Sequence, residues 1–359
     1  MMKKLDVAVL GATGAVGQRF IKLLEHHPWF RVAEVIGSDR SAGRRYGDAV
    51  RWVLDEDPPA DVLNLLIRPL DAALDSALVF SALPKEAAAP REIELAAAGH
   101  VVCTNASAYR MTDDVPILLP EVNADQVRLV DDQRRNRGWS GALVANSNCT
   151  SVPGVMTLAP LRPFGIKRVS VVSMQALSGA GYPGVASLDA MDNVIPYVGG
   201  EEEKVETETR KMLGRYHTGG VEWLESVVSA ACNRVPVIDG HLVNIAVELE
   251  NDPGIDGIID AWTQFRGADP IPTLPSAPVQ PVIYLPHADR PQTRRDRGAG
   301  GGMSTTAGRL RPDPILTYKY AALSHNTIRG AAGCSILNAE YLAMSGYIPA
   351  FQPEAVALT

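Results

Sequence analysis

Only four cysteines occur in the 359 residues, at 103, 149, 232 and 334, and no two form a Cys-x-x-Cys pair. That scarcity argues against a disulfide framework and a cysteine-based zinc site, so no metal centre is expected. No stretch approaches the ~18 consecutive apolar residues needed to cross a bilayer. The longest apolar run near the start, Val7 to Leu10, has the length of a strand and leads into glycines, so it does not read as an export signal. Together these absences imply a reducing, cytoplasmic setting and no membrane partner. Positive charge is also short, with a net charge of -7. A nucleic-acid partner wants a basic face, and the one strongly basic stretch, Arg290 to Arg297, reads as a solvated loop. A phosphate-bearing small molecule stays possible, because it needs only a few well-placed cations. There are no internal repeats, and the single low-complexity patch is Gly298 to Gly302.

At this length one hydrophobic core stops growing, so two domains are expected. The first half alternates strands and helices. Strands are expected at Leu5 to Leu10, Arg31 to Ile36, Ala77 to Leu83 and from Val101, with helices at Ala15 to His27 and Lys85 to Ala98. That alternation implies βαβ units and a parallel, doubly wound sheet, an α/β class. Beyond about residue 150 the pattern becomes α+β. Strands are expected at Lys167 to Gln175, His241 to Glu250, Val279 to Leu285 and Ile315 to Ala322, and helices at Glu201 to Leu213 and Gly257 to Gly267. A last helix over Asn326 to Met344 carries Gly330, Ala331, Ala332 and Gly333, which permit close packing; it is expected to return to the first domain.

Gly11, Gly14 and Gly17 sit in GATGAVG, directly after the first strand and directly before a helix. Glycines there let backbone amides close on a pyrophosphate at the positive end of the helix. A glycine triplet alone is a weak signal, but this placement makes it a strong one. The second strand ends in Gly37-Ser38-Asp39-Arg40-Ser41, where Ser38, Arg40 and Ser41 suit a 2′-phosphate and Asp39 is the dissenting residue. NADP is therefore expected over NAD.

Cys149 lies in the stretch Leu143 to Ser151, which runs from a strand into a helix carrying Pro153. The positive end of a helix favours thiolate, the nucleophile of covalent aldehyde oxidation. Gln175 opens QALSGAGYPG, a strand end followed by a glycine-rich turn. His241 closes RVPVIDGH, and a lone histidine is more often structural.

These motifs collect into a family. GATGAVGQ, SNCT, QALSGAGYPG, EEEK, RVPVIDGH and HNTIRGAAG resemble, in order and along essentially the whole chain, the archaeal and fungal branch of the aspartate-semialdehyde dehydrogenases. The resemblance implies a Rossmann-type NADP-binding domain of residues 1–149 and 325–359, and a catalytic and dimerisation domain of 150–324. It implies that Cys149 is the nucleophile, with Asn148 in the same motif. Gln175 would position the acyl group and His241 would be the general acid/base. Arg234 would hold the α-carboxylate, and Glu201 with Lys204, three apart on one helical face, would contact the amine and phosphate. Arg110 would be the other phosphate-binding cation. Cofactor contacts would come from Gly11, Thr13, Gly14, Ala15, Val16 and Gly17, from Ser38, Arg40 and Ser41, and from Ser81, Ala82, Ser178, Gly179 and Asn326. The family implies a homodimer or homotetramer.

Two other activities share this scaffold. Malonyl-CoA reductases have the cysteine, the glycine-rich turn and the final helix, but their substrate has no α-amino group to require Glu201 and Lys204. N-acetyl-glutamyl-phosphate reductases match the motifs less well. A non-catalytic NADP-binding regulator, a rival from a different class, would be expected to have lost the nucleophile, the histidine or the arginine, and all three are present.

Overall fold

The computed structural model describes residues 4–348 and Phe351. The expected first domain reaches 1 and 359, so residues 1–3, 349–350 and 352–359 of it lie outside the described residues.

The first half builds a six-stranded, all-parallel sheet. Its strands are β1 (Leu5–Leu10), β2 (Phe30–Ile36), β3 (Ile67–Arg68), β4 (Leu78–Ser81), β5 (Val101–Thr104) and β6 (Ala142–Ala145), in the order β3-β2-β1-β4-β5-β6. Continuous apolar runs such as VAVL suit strands covered on both faces. Alternate residues feed two separate cores: Val7, Val9 and Phe80 on one side, Ala8, Leu10 and Val79 on the other. Helix α1 (Ala15–Leu24) turns Phe20, Ile21 and Leu24 onto the first of these cores, and α2 (Lys85–Ala97) follows β4. The strand order reverses between β1 and β4, which opens a crevice over their carboxyl ends.

The second sheet is mixed and also six-stranded. After α3 (Leu129–Arg137) and α4 (Ser151–Leu158) come β7 (Ile166–Gln175), α5 (Glu201–Met212), the small hairpin β8 (Arg215–His217) and β9 (Gly220–Glu222), and β10 (Val227–Arg234). Next are β11 (His241–Leu249), α6 (Gly254–Gln264), β12 (Val282–Leu285), β13 (Thr305–Pro312), β14 (Tyr318–Ser324) and α7 (Gly333–Met344). The sheet order is β10-β7-β11-β14-β13-β12. Residues of α4 and α6, among them Val152, Val155 and the fully buried Trp262, share one core with inward residues of this sheet. Its outer face is open, with β7 alternating buried and exposed residues from Val169 to Ser173.

Five of the described strands were not expected from sequence: the short β3, β8 and β9, and the longer β10 and β13. β10 carries Ser229, Ala230, Ala231 and Asn233, too little apolar alternation to read, because it is an edge strand with much of its length exposed. β13 is interrupted at Arg309, which has φ of 58°. Strand β14 starts three residues later than expected, after the turn in which the Asp313 N–H donates to the Thr317 carbonyl oxygen.

The last helix does return to the first sheet: Ala332, Ile336, Ala339 and Leu342 join the core that holds Val7 and Phe20. It opens with a π-helical segment, Ile328–Ala332, before α7 proper. Arg329 anchors that segment, donating from Nη1 and Nη2 to the two carboxylate oxygens of Glu121 at 2.9 and 2.8 Å, with both side chains buried. Removing one member of such a pair strands the other charge in the interior. Arg329→Met is therefore expected to lower unfolding free energy by about 3–5 kcal/mol in a urea titration, and a companion Glu121→Leu to restore much of it. A loss under about 1 kcal/mol would place the pair with ordinary surface ion pairs.

Candidate active site

The two sheets meet along a cleft of about 480 Å³. On the nucleotide side, Gly11 has φ of 70°, and a Cβ there would lie 2.7 Å from the Ala82 carbonyl oxygen. A Cβ on Gly17 would lie 2.2 Å from the Gly11 oxygen, so both glycines are demanded by the backbone itself. Gly14 differs. It is exposed, it caps α1, and a Cβ would meet nothing closer than 3.4 Å. The space above it and the free amides at the helix start form a cradle suited to a pyrophosphate. Val16 and Ala82 line the cleft, Ala15 borders an adjoining recess, and Thr13 is half-buried with its carbonyl held by Gln18. Ser81 lies beneath this surface, fully buried, so its side chain does not face the cleft.

Ser38, Arg40 and Ser41 stand apart, beyond the end of β2. Ser38 and Arg40 are exposed, and Arg40 makes no side-chain hydrogen bond or ion pair among the described residues. Ser41 turns its hydroxyl back to donate to the Ser38 carbonyl at 3.0 Å. An unengaged guanidinium at this strand end fits a 2′-phosphate.

The reactive residues are positioned by strand ends. Gln175 closes β7 and Arg234 closes β10, and the two are register partners. His241 opens the antiparallel neighbour β11. Beyond β6, Asn148 accepts at Oδ1 from the N–H groups of Thr150 and Ser151, at 2.8 and 3.3 Å, which fixes the turn into α4. That turn sets the Cys149 sulfur 3.3 Å from Nε2 of His241. The Ala176 N–H donates to Nδ1 of the same ring at 3.1 Å, leaving the ring proton on Nε2, facing the sulfur. Arg234 donates to the Ala176 carbonyl at 2.7 Å. A Cβ on Gly179 would collide with both Arg234 and His241, and one on Gly330 would lie 2.7 Å from the Cys149 Cβ.

Opposite, α5 presents Glu201 and Lys204. Glu201 accepts from Lys204 Nζ at 2.9 Å and from Asn148 Nδ2 at 2.8 Å. Arg110 reaches the same cleft and donates to Glu208 at 2.9 Å. Asn326 donates to the Ser178 hydroxyl at 2.7 Å and accepts from the Gly240 N–H at 2.8 Å, tying the last segment to the glycine-rich turn. Of the catalytic and substrate residues expected from sequence, Asn148, Cys149, Glu201, Lys204 and Arg110 line the cleft, while His241, Arg234 and Gln175 are buried, His241 in contact with the Cys149 sulfur. Sequence reasoning missed Glu208 and Lys211, and marked Gly330 for close packing without naming Cys149 as its neighbour.

The electrostatics reverse one expectation. Loss of solvent pushes the Cys149 thiol up to about 11, and Glu201 pushes the same way against the opposing Arg110 and Arg234. Burial, then the charge of Arg234 and of His325, pulls His241 down to about 3. The start of a helix favours thiolate, but desolvation outweighs it here.

The profile for the semialdehyde dehydrogenase NAD binding domain matches residues 6–130, and that for the semialdehyde dehydrogenase dimerisation domain matches 158–329. The aspartate-semialdehyde dehydrogenase of Archaeoglobus fulgidus is 47% identical over 94% of this chain and 98% of its own length. The chain belongs to the aspartate-semialdehyde dehydrogenase family. The crystal structure of Candida albicans aspartate semialdehyde dehydrogenase with NADP matches 96% of this chain and 100% of that one, with a TM-score of 0.88 at 37% identity. An NADP malonyl CoA reductase of Metallosphaera sedula is 37% identical over 97% of this chain and 99% of its own length.

For a member of this family with a thiol and an imidazole both neutral at rest, reactivity should follow the thiolate fraction alone. Alkylation of Cys149 by iodoacetamide in the cofactor-free protein is expected to climb roughly tenfold per pH unit between about pH 6 and 9. A plateau starting below neutrality would instead reveal a thiolate–imidazolium pair.

Proposed function

We propose that this chain catalyses the reversible, NADPH-dependent reduction of L-4-aspartyl phosphate to L-aspartate 4-semialdehyde and phosphate, through a thioester on Cys149. The observation that carries this reading is the 3.3 Å contact between the Cys149 sulfur and His241 Nε2, beside a cleft lined by Arg110 and the Glu201–Lys204 pair, with Arg234 buried next to the Ala176 carbonyl.

Each group answers to a part of that substrate. Arg234 suits the α-carboxylate, with its fork already steadied by the Ala176 carbonyl. Glu201 offers negative charge to the α-ammonium, and Lys204 and Arg110 offer positive charge to the phosphoryl group. The Gln175 side chain, donating to Ser173 at 3.3 Å, stands at the strand end where the acyl group would be aligned. The sulfur attacks the acyl carbon, the C–S bond forms as the C–O bond to phosphate breaks, and the thiol proton leaves with the hydrogen phosphate. The Gly14 cradle, Arg40 with Ser38, and Asn326 would hold NADPH, which when bound would supply hydride to the thioester carbon. The Nε2–H of His241 then donates to the carbonyl oxygen and to the sulfur as each gains charge. Breaking the C–S bond frees the aldehyde, and a solvent proton restores the thiol. General-base uptake of the thiol proton at Nε2 would first require the ring to surrender its Ala176 contact.

The open outer face of the second sheet, with Val172 and Val227 exposed, supports a homodimer or a tetramer of dimers joined there. The two cores support boundaries at 149/150 and 324/325, with the last segment in the first domain. No helix among the described residues is long and apolar enough to cross a membrane, consistent with a cytoplasmic enzyme.

The test is phosphate-dependent reduction of NADP⁺ with aspartate semialdehyde against malonate semialdehyde. Turnover of the first is expected, lost in Cys149→Ala and reduced about 10²–10⁴-fold in His241→Ala without unfolding. Inertness toward it, alongside NADPH-dependent reduction of malonyl-CoA, would transfer the site to the second substrate.

A further inference from the structure

Two charged residues of α5 have no role in the reaction as described. Glu201, Lys204, Glu208 and Lys211 fall at i, i+3, i+7 and i+10, so they form one stripe along the helix. The first two meet the cleft. Glu208 and Lys211 are each 1% exposed, and a buried carboxylate or ammonium survives only when its bonding capacity is used. Lys211 uses all three protons, donating to the carbonyl oxygens of Arg110, Thr112 and Val115 at 2.7, 2.8 and 3.0 Å. It therefore pins the loop that carries Arg110. Burial pushes its ammonium down to about 8.

Glu208 divides its carboxylate between two partners. One oxygen accepts from Arg110 Nη1 at 2.9 Å, and the other accepts from the backbone N–H of Asn148 at 2.6 Å. Asn148 directly precedes the nucleophile. One buried side chain thus joins the phosphate-binding cation to the turn that bears Cys149. Arg110 lines the cleft and also donates from Nη2 to the Asn105 carbonyl at 2.8 Å, so its guanidinium is held from both sides at the cleft wall.

We infer that Glu208 is a positioning residue that sets where the Arg110 guanidinium stands relative to the Cys149 sulfur, with Lys211 holding the loop behind it. The inference rests on the placement of phosphate at Arg110 proposed above. Phosphate must meet both the cation and the thioester carbon, and an error near 1 Å in such an arrangement costs about 10² in rate. Glutamine at 208 has the shape but only one acceptor oxygen. Its amide would face a donor at either Arg110 or Asn148.

The experiment is a double-mutant cycle on phosphate-dependent NADP⁺ reduction in the full-length protein. Glu208→Gln should raise the KM for phosphate about tenfold while the KM for aspartate semialdehyde stays within about twofold. Glu206→Gln, whose parent carboxylate accepts from the Ala230 N–H outside the cleft, should leave both unchanged. Arg110→Ala should also raise the phosphate KM, and adding Glu208→Gln to it should raise it no further. An unchanged phosphate KM in Glu208→Gln, or full additivity in the double variant, would overturn the inference while leaving phosphate at Arg110. An unchanged phosphate KM in Arg110→Ala removes phosphate from that site, and the role of Glu208 falls with it. If Glu208→Gln does not accumulate folded, Glu208→Asp, whose shorter arm cannot span both partners, is read in the same way.

Discussion

The Ala176 N–H bonds to Nδ1 of His241, and the ring lies buried beside Arg234. A neutral imidazole has one proton, so occupying one nitrogen as an acceptor commits the other as a donor. The sulfur therefore faces an N–H, and the chemistry starts from two uncharged groups. Arg234 reinforces this state twice, by repelling an imidazolium and by holding the carbonyl of the same Ala176. A site arranged this way keeps its nucleophile quiet until substrate arrives, and its donor then stabilises charge that develops only during reaction.

The second sheet is the ruler for that arrangement. Because Gln175 and Arg234 are register partners and His241 begins the next strand, three reactive residues share one end of three adjacent strands. Rigid strands hold such positions more tightly than loops. Cys149 is brought to them from the other domain's last strand, and close approach is bought with missing side chains at Gly179 and Gly330. The π-helical segment that carries Gly330 is fixed in turn by the buried Arg329–Glu121 pair.

Much of this was legible in the sequence where the rule is local. The glycines of GATGAVG follow a strand and open a helix, and two of them prove to be backbone necessities. Cys149 was marked by its place before a helix, but that rule gave the wrong direction for its acidity, because burial is set by residues far away along the chain. Ser81 was expected at the cofactor surface and is covered, since a strand's final residue can point either way. Glu208 and Lys211 followed a visible spacing from Glu201. Nothing local distinguished them from the solvated face of a charged helix, because their partners are the Arg110 guanidinium and backbone groups of residues 110–115 and 148, all distant in sequence. β10 escaped notice for a related reason: a strand with one exposed face and small residues carries little pattern.

The contact of Gly330 with Cys149 also orders events during synthesis. The nucleophile, the imidazole and the substrate-binding groups are all translated before residue 330, yet the wall against Cys149 is supplied by the π-helical segment that follows them. A nascent chain thus carries its thiol without the backbone that closes over it, and the assembled cleft is a property of the finished polypeptide. Premature termination between residues 241 and 330 yields a protein that contains the reactive residues and lacks their enclosure.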